Sequence, residues 1–167
     1  MSLSCIQIPF VLDADGLFPF SKKVGLLKKL KVPFIITPHE GEFRRLFGFS
    51  GGTTQADRKK AALKAAKICG GVVVLKGDRT VVASVQGYLY VNRTGNAGLA
   101  KGGTGDVLFG MITSLLGQGI KPFQAASLGV YLHGAAADKA IKNKAKASLL
   151  ATDVINSLPT VLKGFHK

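Results

Sequence analysis

The sequence predicts an α/β protein, three layers αβα around a mostly parallel central sheet. Three observations carry this expectation. Residues 8–13 (IPFVLD), 32–37 (VPFIIT) and 72–76 (VVVLK) are short apolar runs without alternation, the pattern of strands buried on both faces. Helical patterns separate them, as crossovers between parallel strands require. A glycine-rich segment at residues 92–119 then leads into the last helical patterns of the chain.

The first run ends in Asp13 and Asp15, and Gly16 opens the turn. Open α/β sheets bind ligands beyond the carboxyl ends of their strands, so these carboxylates are placed to orient one; Asp15 could equally cap the next turn. Residues 22–30 read as a short helix with Leu26, Leu27 and Leu30 turned inward. Pro38 stops the second run. Thr37 suits the cap, and Pro38 the first position, of a helix with Phe43, Leu46 and Phe47 on one side. His39 would then stand at a strand end beside a helix N-terminus, either structural or in reach of a ligand. Thr53 or Thr54 caps an alanine-rich helix over residues 55–68, which Gly70 and Gly71 end. The third run delivers Lys76 to the turn KGDRT, as a solvated strand end or as a flexible point charge for a phosphate. Residues 80–84 and 88–92 flank Val85-Gln86-Gly87 as a β-hairpin. Helices over 105–117, 122–143 and 151–163 complete the chain. The first of them is apolar nearly all round and is expected to be buried. His133, on the second, reads as structural.

At 167 residues the chain is long enough for one domain with its own core, and 47% hydrophobic residues rule against intrinsic disorder. No apolar run reaches the roughly 18 residues that span a bilayer, and the start MSLSCIQIPF lacks a signal-peptide layout. A cytoplasmic protein is expected. Cys5 and Cys69 are too few for a metal set or a disulfide framework and read as reduced core thiols. A formal net charge of +14 favours polyanions, yet the lysines are dispersed over helices, with no arginine-rich tail and no aromatic-glycine RNA-binding pattern. Steering of a phosphorylated small ligand fits this better than specific nucleic-acid recognition.

The chemistry concentrates in GGTGD, residues 102–106. Glycine lets a backbone approach a ligand closely, and the unpaired N–H groups of a helix start attract anions. Asp106 follows at once, so an anion hole and a carboxylate base lie side by side. The loop is neither a GxxxxGKS/T phosphate loop nor a GxGxxG dinucleotide fingerprint.

Taken together, VLDADGL, TPHEGEFRRL, VVVLKGDRTVVA, TGNAGLAKGGTGDVLFGMITSLLGQG, GVYLHGAAAD and LLATDVINSLP closely resemble the ADP/ATP-dependent NAD(P)H-hydrate dehydratases of the ribokinase-like superfamily. The resemblance covers nearly all of residues 8–163. It implies a lyase that removes water from hydrated NADH or NADPH while hydrolysing ADP or ATP with Mg²⁺, a metabolite-repair reaction. By that resemblance Asp106 is the base and touches the hydrated nucleotide. Gly103, Thr104 and Gly105 form the anion hole. Lys76, Gly77, Asp78, Arg79 and Thr80, with Gly105, hold the adenine nucleotide; Asn96 lines the same site and His39 contacts the hydrated NAD(P)H. The sequence departs from the family pattern at Gly16 and Phe18 in LDADGLF, at Glu40 where proline is common, and around Lys101, a charge that could serve a phosphate. The resemblance also implies that residues 1–167 are the C-terminal portion of one such domain, incomplete at its N-terminus. The strand edge left open makes a homo-oligomer expected. GGTGD also serves ribokinase-like kinases of vitamin precursors and sugars, and an inactive nucleotide-binding fragment is a third reading.

Overall fold

The computed structural model describes residues 6–164. Five strands form one sheet in the order β1 (Phe10–Leu12), β2 (Phe34–Ile36), β3 (Val72–Leu75), β4 (Val81–Ala83), β5 (Leu89–Val91). The pairings β1–β2 and β2–β3 are parallel; β3–β4 and β4–β5 are antiparallel. The hairpin thus extends a parallel core, and only β4 runs against the others.

Alternation along the strands sends side chains to two apolar layers. On one face Phe34, Ile36, Val73, Leu75, Val81 and Ala83 meet α1 (Glu40–Phe47) and α2 (Gln55–Cys69), whose Phe43, Leu46, Ala62, Ala65 and Ala66 are buried. On the other, Val11, Ile35, Val72, Val74 and Val82 meet α3 (Thr104–Gly117) and α4 (Pro122–Ala140) through Leu108, Ile112, Leu116, Ala125, Ala126 and Val130. The expected three layers are therefore present. α5 (Ala151–Lys163) closes a smaller cluster against α3 and α4, with Ala136, Ala137, Leu149 and Val154 at its centre.

Four expectations need correction. Residues 22–30 contain a 3₁₀ helix, Val24–Lys29, instead of an α-helix. With three residues per turn, Val24, Leu27 and Leu30 align inward and Leu26 falls off that line, 46% exposed. The cap of α1 is His39 and not Thr37. Thr37, just past β2, instead ties that strand's end to β1, its N–H bonded to the Leu12 carbonyl at 3.1 Å and its Oγ1 donating to the same oxygen at 3.3 Å. α3 is not buried all round: Leu108, Ile112 and Leu116 form its buried stripe while Gly110, Thr113 and Ser114 are exposed, as an outer layer demands. The helix expected over 122–143 ends as α-helix at Ala140 and tightens into a 3₁₀ turn, Ile141–Asn143. Cys69 is the buried thiol expected, and burial pushes it up to about 11, which leaves it inert. Cys5 lies outside the described residues. No helix among them is long and apolar enough to cross a membrane.

Candidate active site

The carboxyl ends of β1, β2 and β3 and the N-terminus of α3 converge on one place. β3 ends at Leu75, and Lys76 projects its ammonium to Asp13, just past β1, with Nζ 2.7 Å from Oδ1. The two side chains are 19% and 10% exposed, so this is a sheltered pair, 63 residues apart in sequence. Glu42 Oε2 stands 3.9 Å from the same ammonium. A Cβ added at Gly105 would lie 3.8 Å from Lys76 Nζ, with no other atom that near. The Lys76 ammonium thus lies against the first turn of α3, at ordinary contact distance from where a side chain on Gly105 would stand.

α3 begins where Gly103, at φ +84°, turns the chain. The Val107 N–H reaches back to the Gly103 carbonyl at 3.2 Å, so the N–H groups of Thr104, Gly105 and Asp106 precede the helical ladder. Thr104 contributes backbone only. Its Oγ1 is turned inward, 2.7 Å from the Leu99 carbonyl and 2.8 Å from that of Lys101. Asp106 is exposed and lines a cavity of about 240 Å³ with Asp13, Val11, Leu12, Ala14, Gly16 and Phe109.

His39 is fixed by its capping role. Its Nδ1 accepts from the Gly41 N–H at 3.0 Å and the Glu42 N–H at 3.4 Å, and Glu42 Oε2 accepts from the His39 N–H at 2.8 Å. The side chain is 59% exposed, and Nε2 lies 3.5 Å from Glu42 Oε1. Glu42 therefore links His39 to Lys76. Capping by histidine is not one of the usual patterns, which is why Thr37 looked the better cap.

Residues 76–80 make the next turn. Gly77 has φ +149° and Arg79 φ +49°, Thr80 Oγ1 donates to the Gly77 carbonyl at 3.0 Å, and Gly77, Asp78 and Arg79 are exposed. Asn96 shapes the approach to the glycine loop. Its Nδ2 donates to Asp138 Oδ1 at 2.9 Å and its Oδ1 accepts from the Gly98 N–H at 3.0 Å. Asp138 Oδ2 holds the Gly95 N–H at 2.7 Å. Lys101 donates to the Ala147 carbonyl, so that charge is turned toward the α4–α5 connection.

The same approach depends on Gly134 of α4, which lets Thr94 sit against the helix. A Cβ there would stand 2.6 Å from the Thr94 carbonyl carbon and 2.7 Å from its oxygen, backbone atoms that cannot rotate away. Gly134→Ala is expected to destabilise the fold by about 1–3 kcal/mol, the usual range for overpacking, read as a lowered urea midpoint at unchanged slope.

Sequence reading named Asp13 only as one of two strand-end carboxylates. It missed Glu42 and Arg58, whose guanidinium lies under the 76–80 turn with Nη2 3.1 Å from the Leu75 carbonyl. Neither carries a local signal: Glu42 reaches Lys76, and Arg58 reaches the Leu75 and Lys76 carbonyls, only once the chain is folded.

Residues 4–160 match a protein-family model described as NAD(P)H-hydrate dehydratase. The chain is 43% identical over 162 residues to the bifunctional NAD(P)H-hydrate repair enzyme Nnr of Moorella thermoacetica, covering 97% of this chain and 31% of that one. It is 49% identical over 151 residues to the ADP-dependent (S)-NAD(P)H-hydrate dehydratase of Neisseria meningitidis, covering 87% of this chain and 50% of that protein. The chain thus spans half or less of these relatives. Among solved structures, the Bacillus subtilis ADP/ATP-dependent NAD(P)H-hydrate dehydratase co-crystallized with ATP/Mg²⁺ superposes with a TM-score of 0.86 at 38% identity, over 98% of this chain and 57% of that one. A ribokinase-like superfamily protein of Enterococcus faecalis follows at 0.71 and 30% identity, over 93% of this chain and 52% of that one. With a ribokinase-like fold and a family match over nearly its whole length, the chain belongs to the NAD(P)H-hydrate dehydratase family.

Proposed function

We propose that this protein returns hydrated NADH or NADPH to NAD(P)H in a reaction coupled to cleavage of ADP or ATP, a lyase of nicotinamide-nucleotide repair. Residues 1–167 act in it as one ribokinase-like unit. The observation that carries this reading is the convergence of Asp106, Lys76 and the leading N–H groups of α3 on one open site beside a cavity of about 240 Å³. The names of the relatives, and ATP/Mg²⁺ in the Bacillus subtilis structure, support the choice of ligands.

Asp106 accepts the proton of the hydroxyl that hydration added to the nicotinamide ring. That oxygen attacks the terminal phosphorus, forming an O–P bond as the bond to the bridging oxygen breaks. AMP leaves if the nucleotide is ADP, and ADP if it is ATP. Phosphate then departs from the ring carbon, the neighbouring carbon gives up a proton, and the double bond returns. The backbone of Gly103, Thr104 and Gly105 and the Lys76 ammonium stabilise charge on the phosphoryl group in flight. Gly77, Asp78, Arg79 and Thr80 hold the rest of the adenine nucleotide. His39 meets the hydrated NAD(P)H through its exposed ring, and Asn96 holds the loop wall in place.

The donor set suits Mg²⁺ bound through phosphates. That ion takes one or two carboxylates and keeps several waters. Asp13 and Asp106 line one cavity, and among the described residues no group of three or more His, Cys, Asp or Glu would cage a metal. When bound, Mg²⁺ supplies charge neutralisation between the phosphates.

Incubating the protein with hydrated NADH, ADP or ATP and Mg²⁺ should restore the reduced-nicotinamide absorbance. No recovery, with a phosphorylated product from a hydroxymethylpyrimidine, thiazole or sugar panel, would replace this reading with a small-molecule kinase. Nucleotide binding by calorimetry without either turnover would leave a non-catalytic binding module. The reading also includes a cytoplasmic homo-oligomer. Among the described residues the outer edge of β1 has no strand partner, and an open edge invites pairing. A single monomer boundary in sedimentation across a concentration series would remove the oligomer.

A further inference from the structure

Arg58 closes the first turn of α2, with its side chain 12% exposed. A cation there needs partners, since desolvation is costly. Two come from the end of β3. Nη2 lies 3.1 Å from the Leu75 carbonyl and 3.2 Å from the Lys76 carbonyl, the two groups that begin the turn at residues 76–80. The third is Glu40, in the first turn of α1, with Oε2 3.7 Å from Nη1. Glu40 is itself anchored, Oε1 accepting from the Gly51 N–H at 2.8 Å and from Ser50 Oγ at 2.9 Å.

Gly77 completes the arrangement. Its φ of +149° belongs to glycine, and a Cβ there would stand 2.9 Å from Arg58 Nη2. The turn is therefore folded down onto the guanidinium. The pair is poorly built as a source of stability alone. The Glu40 side chain is 37% exposed, where an ion pair contributes little, and Arg58 Nε and Glu40 Oε2 have no hydrogen-bond partners. Burial lowers the Arg58 pKa, with Glu40 and then Asp78 opposing it, which marks the cation as sheltered beneath the exposed turn.

We propose that Arg58, held by Glu40, is a positioning residue for the nucleotide turn. Its guanidinium grips the Leu75 and Lys76 carbonyls from below and fixes the direction in which Lys76 to Thr80 present themselves to phosphate. Asp13 sets the Lys76 side chain; Arg58 sets its main chain. Glu40 is then a strut between the first turns of α1 and α2.

The inference rests on the reading that residues 76–80 hold an adenine nucleotide, and the experiment separates the two. Arg58→Gln, Arg58→Lys and Glu40→Gln are compared with the parent chain by amide exchange over residues 76–80 and by calorimetric titration with ADP. Arg58→Gln should speed exchange in that turn and weaken ADP binding by about tenfold, roughly one charge-assisted hydrogen bond. Saturating kcat should fall by less than ADP affinity does, because Asp13 still holds the Lys76 ammonium. Arg58→Lys keeps the charge without the fork and should restore only part of the affinity. Glu40→Gln should give a smaller change in the same direction. Exchange and ADP affinity both unchanged in Arg58→Gln would overturn the proposal. If that variant does not fold, unchanged exchange in Glu40→Gln overturns it. A parent chain that binds no ADP removes the nucleotide reading, and the exchange comparison still decides whether Arg58 orders the turn.

Discussion

Asp106→Asn is expected to lower turnover of hydrated NADH by about 10²- to 10⁴-fold, the usual contribution of a positioned general base. The amide has nearly the same shape and cannot accept the hydroxyl proton. The features that face phosphate are untouched, because Lys76 stays paired with Asp13 and the N–H groups at the start of α3 belong to the backbone. ADP affinity should therefore remain within about threefold, so the loss falls on kcat. A purely structural role predicts something else. Asp106 stands in the first turn of α3, where a carboxylate favours the positive end of the helix dipole by about 0.3–1 kcal/mol. Asn would give up that small stability and leave turnover intact. Steady-state rates, ADP calorimetry and a urea melt on one variant distinguish these outcomes, and retained turnover removes Asp106 as the base.

Asp106 could be named from sequence because everything that marks it is local. Gly103, Thr104 and Gly105 precede it directly, and an apolar helix follows. Two of the three strands expected to be buried on both faces are so, and for a similar reason: Ile35, Ile36, Val73 and Val74 are fully buried and their runs show no polar alternation. By contrast β1, at the sheet edge, is buried only at Val11, and Ile8 before it is 70% exposed. Failures came where a local pattern admits two geometries. Leu26 and Leu27 fit an inward α-helical stripe equally, and only the three-residue period of Val24–Lys29 expels Leu26. They came again where electrostatics joins distant residues. Lys76 with Asp13, Asn96 with Asp138 and Arg58 with the Lys76 carbonyl are separated by 63, 42 and 18 residues. Hydrophobic period says nothing about such pairs. The glycine loop was thus readable as chemistry, while the struts that aim it required the fold.

Acid should destabilise this protein through His133. The ring belongs to α4, is 7% exposed, and its Nε2 has no hydrogen-bond partner. Burial pushes its pKa from 6.5 down to about 4, against a smaller opposing effect of a hydrogen bond with the Thr104 backbone. The folded state therefore holds a neutral imidazole where the unfolded chain would take up a proton. Between about pH 6.5 and about pH 4 the unfolded state binds more protons, so stability falls as the solution is acidified through that window. Above pH 6.5 the contribution is complete, and at acid pH about 3 kcal/mol has been lost. Asp153, held below its ordinary value of 3.8 by Lys144 and the Leu150 N–H, loses its contribution at lower pH than this window. His133→Gln removes the titration. It should cost about 1–3 kcal/mol at neutral pH, the range for disturbing a buried polar contact. Its urea midpoint should then stay nearly flat while that of the parent drops, so the two curves converge toward pH 4. A gap that stays constant across the window would mean that His133 is not held neutral in the fold. Because His133 meets the backbone of Thr104, the residue that opens α3, the same variant should also raise amide exchange at the glycine loop.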